Sequence, residues 1–286
     1  MTGPKTIIIT VWKRYVDHFR EWTASLAAPG ILAVAVALIP PVFDVVGWAL
    51  LLFLEIGALV SADRLLSNGR VLDRRESNAL GVQRFVGYLW ASILYNLIVG
   101  LVVLVAAAPL IYLILQIDIP LGTPPAFVPV ALLLSFRAPH VLALLLVVIV
   151  GTYASLRLAF VKPSNVLHLE RGVAAVRRSI SLTAGRTALL FRTIVLPYLL
   201  FAALSTALIA APALIFDLAV DAFDPSPVVV TGMWSALNAM QTAIAAFVTV
   251  PVFALLITLI YRDFATLAPP KVIGEAPPPP PVHPET

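Results

Sequence analysis

Glu55 stands alone as an acid inside a long apolar run of this 286-residue chain. A carboxylate in hydrocarbon costs about 2.5–3.5 kcal/mol on insertion scales, so it either marks a proton or substrate path or finds a partner. No second acid falls inside the apolar runs. The expected arrangement is therefore structural, a pair with an arginine or a protonated carboxyl hydrogen-bonded to a neighbouring helix. Arg157 ends another apolar run, shortly before Lys162 and Pro163. An arginine so placed snorkels to the membrane surface, holds a lipid phosphate or pairs with an acid. Arg262 and Asp263 close the last run, where adjacent opposite charges favour a structural pair over a site.

Other chemistry lacks its residues. There is no cysteine, which removes thiolate metal sites, disulfides and thiol nucleophiles. His18, His140, His168 and His283 are scattered without metal-ligand spacing. No serine sits in a Gly-x-Ser-x-Gly elbow, and no Gly-x-x-x-x-Gly-Lys phosphate loop occurs. The sequence reading assigns no catalytic, metal or cofactor residue, and an intramembrane enzyme is the least supported function.

The elements that position these residues follow from composition. The chain is 60% hydrophobic and 12% charged, against roughly 45–50% and about 25% in soluble domains. Lipid as solvent resolves that excess. The sequence pI near 9.6 does not imply nucleic acid, because the cations flank apolar runs where anionic headgroups attract them. Eighteen of the 19 Lys and Arg residues fall in segments that can share one side of a membrane, leaving Arg137 on the other. This asymmetry predicts a cytoplasmic basic side with both termini there.

Spans need roughly 20 apolar residues each. The sequence predicts an all-α polytopic protein, with six transmembrane helices arranged as three hairpins over 24–62, 85–160 and 188–262. The membrane domain covers residues 1–267. A basic amphipathic interfacial helix is expected before each hairpin. The first, over 5–26, carries Ile8, Trp12, Tyr15, Phe19, Trp22 and Leu26 on one stripe, so it is expected to lie flat at headgroup level, with packing on protein as the alternative. Pro40 to Asp44 mark the first turn, and a re-entrant first pair is the alternative to a full hairpin. Gly57, Gly100 and Gly151 suit close helix packing. Residues 268–286, with Pro277 to Pro281 in a row, read as an extended disordered tail. No cleavable signal peptide is expected at the start. Each hairpin's second run ends with an arginine (Arg64, Arg157, Arg262), which suggests three parallel repeats.

The strongest local pattern is Ala175-x-x-Arg178-Ser179-x-x-Leu182-Thr183-x-Gly185, just before the fifth span. A helix is expected to end near Gly185. Here the chain resembles the membrane domain of glycerophosphoryl diester phosphodiesterases and related bacterial membrane proteins. Tyr153-x-x-x-Arg157-Leu-Ala with Pro163, and Leu259-Ile260-Tyr261-Arg262-Asp263, resemble further parts of that domain. The resemblance implies a membrane module. No catalytic barrel follows the last span in this sequence, so phosphodiesterase activity is not expected to carry over.

The function expected is a non-enzymatic lipid-contacting scaffold or accessory protein of a bacterial inner membrane. Its expected partners are membrane lipids, anionic ones above all. The rival is a transporter of a lipid or amphiphile, with a path near Glu55 and Arg157. Glu55, Arg157, Arg178, Ser179, Thr183, Arg262 and Asp263 are the candidates for lipid contact or pair formation. A polar cavity at the midplane would favour transport, and a filled apolar centre a scaffold.

Overall fold

A computed structural model describes residues 3–39, 46–117, 137–223 and 226–267. Over these residues the chain is helical, with no strand. The first turn at Pro40–Asp44 and the proline-rich tail from 268 lie outside the described residues.

The amphipathic start is not one helix. It divides into α1 (Pro4–Asp17) and α2 (Phe19–Ala37), meeting at His18. The apolar stripe is also shared out differently from the expectation over 5–26. Ile7, Val11 and Tyr15 of α1 are buried, and so are Trp22 and Leu26 of α2, while Trp12 is 43% exposed. Trp22, at 0% exposure, is a core side chain and not a headgroup anchor. The physical reason lies in the last helix. Pro251 has no N–H to give the carbonyl of Phe247, four residues earlier. The helix widens there into a π turn at Ala245–Thr249, as such helices do where the normal ladder is interrupted. The Tyr15 hydroxyl donates to the Phe247 carbonyl at 2.9 Å, which fastens α1 to protein.

α3 (Trp48–Asn68) is the central helix. It packs on α2, on α4 (Arg74–Leu115) and on α10 (Val250–Leu267). Leu54, Ile56, Ala58 and Leu65 are fully buried. The Gly57 position lets α4 come close, since a Cβ there would lie 2.6 Å from Ser77 Oγ. Gly151 likewise meets Val103, but a Cβ at Gly100 would touch nothing within 4 Å, so packing does not account for Gly100.

α4 runs for 42 residues, about 63 Å at 1.5 Å per residue. That is about twice the roughly 30 Å hydrocarbon core. Its basic first turns are therefore continuous with its apolar stretch, and the separate interfacial helix expected before it is not formed. Asp73 caps it, accepting from the Glu76 N–H at 2.8 Å. α5 (Ala138–Arg157) lies along α4, and α6 (Val161–His168) turns back over α4 and α3. α7 (Val173–Thr183) is the separate basic amphipathic helix expected before the third hairpin. It ends where expected, with Gly185 in the left-handed region at φ 67°. α8 (Thr187–Phe223) and α9 (Pro227–Ile244), continued through the π turn into α10, complete the bundle.

Among the described residues four stretches are long and apolar enough to cross a membrane: Arg74–Leu115, Ala138–His168, Thr187–Phe216 and Val229–Leu267. The chain is a membrane-embedded helical protein on that ground. α2 and α3 are not among the four. α2 gives its first turn to Arg20 and Glu21, and α3 carries Glu55, Asp63 and Arg64. The packing of α3 among other helices gives these charges protein neighbours.

Candidate functional site

Glu55 has a partner, and it is Lys162, not an arginine. Lys162 Nζ donates to both carboxylate oxygens at 2.9 Å. Its ammonium also stands 5.5 Å from the centre of the buried Tyr88 ring, within range of a cation–π attraction. The pair is not sealed, since the side chains of Lys162 and Glu55 are 29% and 32% exposed.

What they are exposed to is a cavity of about 1540 Å³. Its wall is drawn from α3, α4, α5, α6, α8 and α10. Most of the surface is apolar, with Leu59, Val103, Leu156, Val195, Phe253 and Ile257 among the contributors. Its charged lining residues are Glu55, Lys162 and Arg192. Lys162 lies just past the end of α5, and Thr187 and Arg192 lie in the first two turns of α8. Ile149 of α5 and Leu199 of α8 also line the cavity, and they are 65% and 59% exposed. Exposed apolar faces of α5 and α8 therefore form part of its wall. It is neither a polar channel nor a filled apolar centre.

The bend that carries Lys162 is built by the sequence pattern around Ser179. Helix α5 ends at Arg157 and leaves carbonyls without intrahelical partners. Ser179 Oγ donates to the Arg157 carbonyl at 2.9 Å and accepts from the Phe160 N–H at 3.1 Å. Thr183 Oγ1 also reaches the Arg157 carbonyl, at 3.3 Å, and bonds the Ser179 carbonyl at 2.9 Å. Ala175 and Leu182 are buried beneath this junction. Arg178 donates to Glu170 at 2.8 Å. Burial is the largest single influence on its pKa and lowers it, but the hydrogen bond and charge of Glu170 together with Tyr261 raise it by more, so it stands above the ordinary arginine value. Asn165 adds a bond to the Glu170 carbonyl, and Arg84 of α4 donates to the Val166 carbonyl. The motif thus works as a clamp that fixes the α5–α6 corner.

The remaining candidates fall elsewhere. Arg157 takes part through its backbone carbonyl. Among the described residues its guanidinium makes no ion pair, and it does not meet Glu55. Arg262 donates to Ser67 Oγ at 2.9 Å and lies 3.8 Å from Asp63, tying α10 to α3. Asp263 follows it, its carbonyl accepting from Thr266. The seven candidates do not converge on one point. Arg157, Ser179 and Thr183 come together, with Arg178 beside them, while Glu55 and Arg262 each join a different partner. Sequence reasoning did not single out Lys162, Arg192 or Tyr88. Lys162 is one of six cations between 162 and 192, and no local pattern separates it from the others. Among the described residues no group of three His, Asp or Glu side chains could hold a metal ion. No family model, curated protein or solved structure matches this chain.

Proposed function

We propose that this protein is a non-enzymatic lipid-binding module of a bacterial inner membrane, acting as a scaffold or accessory protein. The observation that carries the reading is the cavity, apolar along most of its wall, with the Glu55–Lys162 pair and Arg192 in its lining and exposed apolar residues of α5 and α8 beside them. A lipid matches that division of chemistry, with chains against the apolar wall and a headgroup at the ion pair. Six spans in three hairpins, with both termini cytoplasmic, complete the proposal. Its support is the charge split and the packing of α2 against α3. Kinship with the membrane domain of glycerophosphoryl diester phosphodiesterases is part of the same proposal. In its favour, Ala175, Arg178, Ser179, Leu182, Thr183 and Gly185 all have a structural task here. Transport of an amphiphile is the second reading, favoured by a carboxylate and an ammonium in the cavity wall.

Native mass spectrometry of the detergent-purified protein tests lipid binding. A lipid-bound species is expected, and it should be lost in Thr152→Trp, which fills the cavity from α5, while the thermal midpoint is kept. Lipid-free protein, or equal lipid retention by a folded Thr152→Trp, would refute the proposal.

A further inference from the structure

We infer that the cavity selects a two-chain phospholipid of net negative charge, and that Glu55 occupies the headgroup's place on Lys162 when no lipid is bound. The inference rests on the lipid-binding reading and adds the ligand class and the mode of exchange.

Four observations lead there. First, the carboxylate of Glu55 sits on Lys162 with both oxygens at 2.9 Å, which is how an anionic oxygen pair of a phosphate would also sit. Second, about a third of each side chain is open to the cavity. An incoming anion can therefore reach the ammonium, which a sealed pair would prevent. The Tyr88 ring remains beside Lys162 after exchange, so the cation keeps one attractive neighbour when the carboxylate leaves. Third, Arg192 lines the same cavity, and among the described residues it makes no ion pair. Lys162, Arg192 and Glu55 together leave one positive charge, which a monoanionic headgroup neutralises and a zwitterionic one does not. A guanidinium suits a phosphate better than an ammonium alone would. Fourth, the cavity volume of about 1540 Å³ exceeds the roughly 300–1,000 Å³ of ordinary small-molecule pockets. The apolar wall and the exposed apolar residues of α5 and α8 in it, such as Ile149 and Leu199, suit two acyl chains more than a soluble anion.

Exchange requires Glu55 to compete with the headgroup. Removing its charge should therefore tighten binding, the opposite of what loss of a ligand-holding residue does. Arg192 is exposed, so its replacement should leave the fold alone.

The experiment measures binding of phosphatidylglycerol, phosphatidylcholine and oleate to delipidated protein in the same neutral detergent, by native mass spectrometry titration. Phosphatidylglycerol should bind about fivefold or more tightly than phosphatidylcholine or oleate, the size expected for one nearby cation. Arg192→Gln should weaken phosphatidylglycerol about fivefold at an unchanged thermal midpoint, and Glu55→Gln should tighten it by a similar factor. Weaker binding by a folded Glu55→Gln would overturn the exchange. Equal binding of phosphatidylcholine would overturn the headgroup assignment while leaving lipid binding intact. Oleate binding as tightly as phosphatidylglycerol would overturn the two-chain assignment. Failure of all three probes to bind would remove the lipid-binding reading itself.

Discussion

The central helix α3 borders two regions that differ in packing. On the side of α2, α4 and α10 the contacts are close. A Cβ at Gly57 would collide with Ser77, and one at Gly30 would lie 2.5 Å from the Phe247 ring. Phe160, Tyr261 and Phe264 form a cluster with ring centres 5.4 Å apart from Phe160. On the side of α5 and α8 the same kinds of apolar residue enclose about 1540 Å³ of unfilled space. Hydrophobicity is similar in both, so it does not decide which closes. Small residues set opposite rings let backbones approach. One region supplies rigidity, and the other supplies room.

The largest effect should separate the two regions directly. Leu54→Ala on the packed side removes a fully buried side chain and should cost about 3 kcal/mol. Leu199→Ala on the cavity wall, already largely exposed, should stay within about 0.5 kcal/mol. Denaturant titration in one detergent reads both, and equal losses would erase the distinction. A middle effect concerns the clamp between the regions. Ser179→Ala leaves the Phe160 N–H without its partner and the Arg157 carbonyl with only the longer Thr183 bond, and should cost about 2 kcal/mol, as for a buried group left unsatisfied. It should also lower lipid retention, because Lys162 rides on that corner. A stable variant with normal retention would show that the corner holds without the hydroxyl.

The smallest effect is a pH dependence on the packed side. Glu21 accepts from Val71 N–H at 3.3 Å and lies 3.1 Å from His18. The hydrogen bond to His18 is the main cause of its lowered pKa. A depressed carboxylate stabilises the fold fully above its unfolded value, about 4.3. That stabilisation fades as pH falls through the lower folded value. Wild type should exceed Glu21→Gln slightly in thermal midpoint at pH 6, with the gap closing toward pH 3. Exposure of the pair keeps the difference small. A gap that persists in acid would assign the effect to something other than ionisation.

The contrast between regions was only partly legible in the sequence. Period and length located α4, α5, α8 and the last helix, and the residue pattern ending at Gly185 placed the end of α7. The break at His18 was not visible, because the apolar stripe continues past it with helical spacing. The burial of Trp22 was hidden for a related reason: an amphipathic face reads alike whether lipid or protein covers it. The Tyr15–Phe247 bond joins residues 232 apart, and nothing local announces it.

By itself the sequence determined the solvent. Its hydrophobic fraction and its long apolar runs require helices in lipid, because in a bilayer every backbone polar group must be satisfied within the chain. It also identified Glu55 as the acid needing a partner, since burial of a charge is costly wherever it occurs. Only the tertiary structure decided which partner. Lys162 is 107 residues away, and it reaches Glu55 because the clamp at Ser179 turns α6 back over α3. The cavity is likewise a product of helix placement, set by which close contacts form and which do not, and packing between distant segments leaves no trace in the order of residues along the chain.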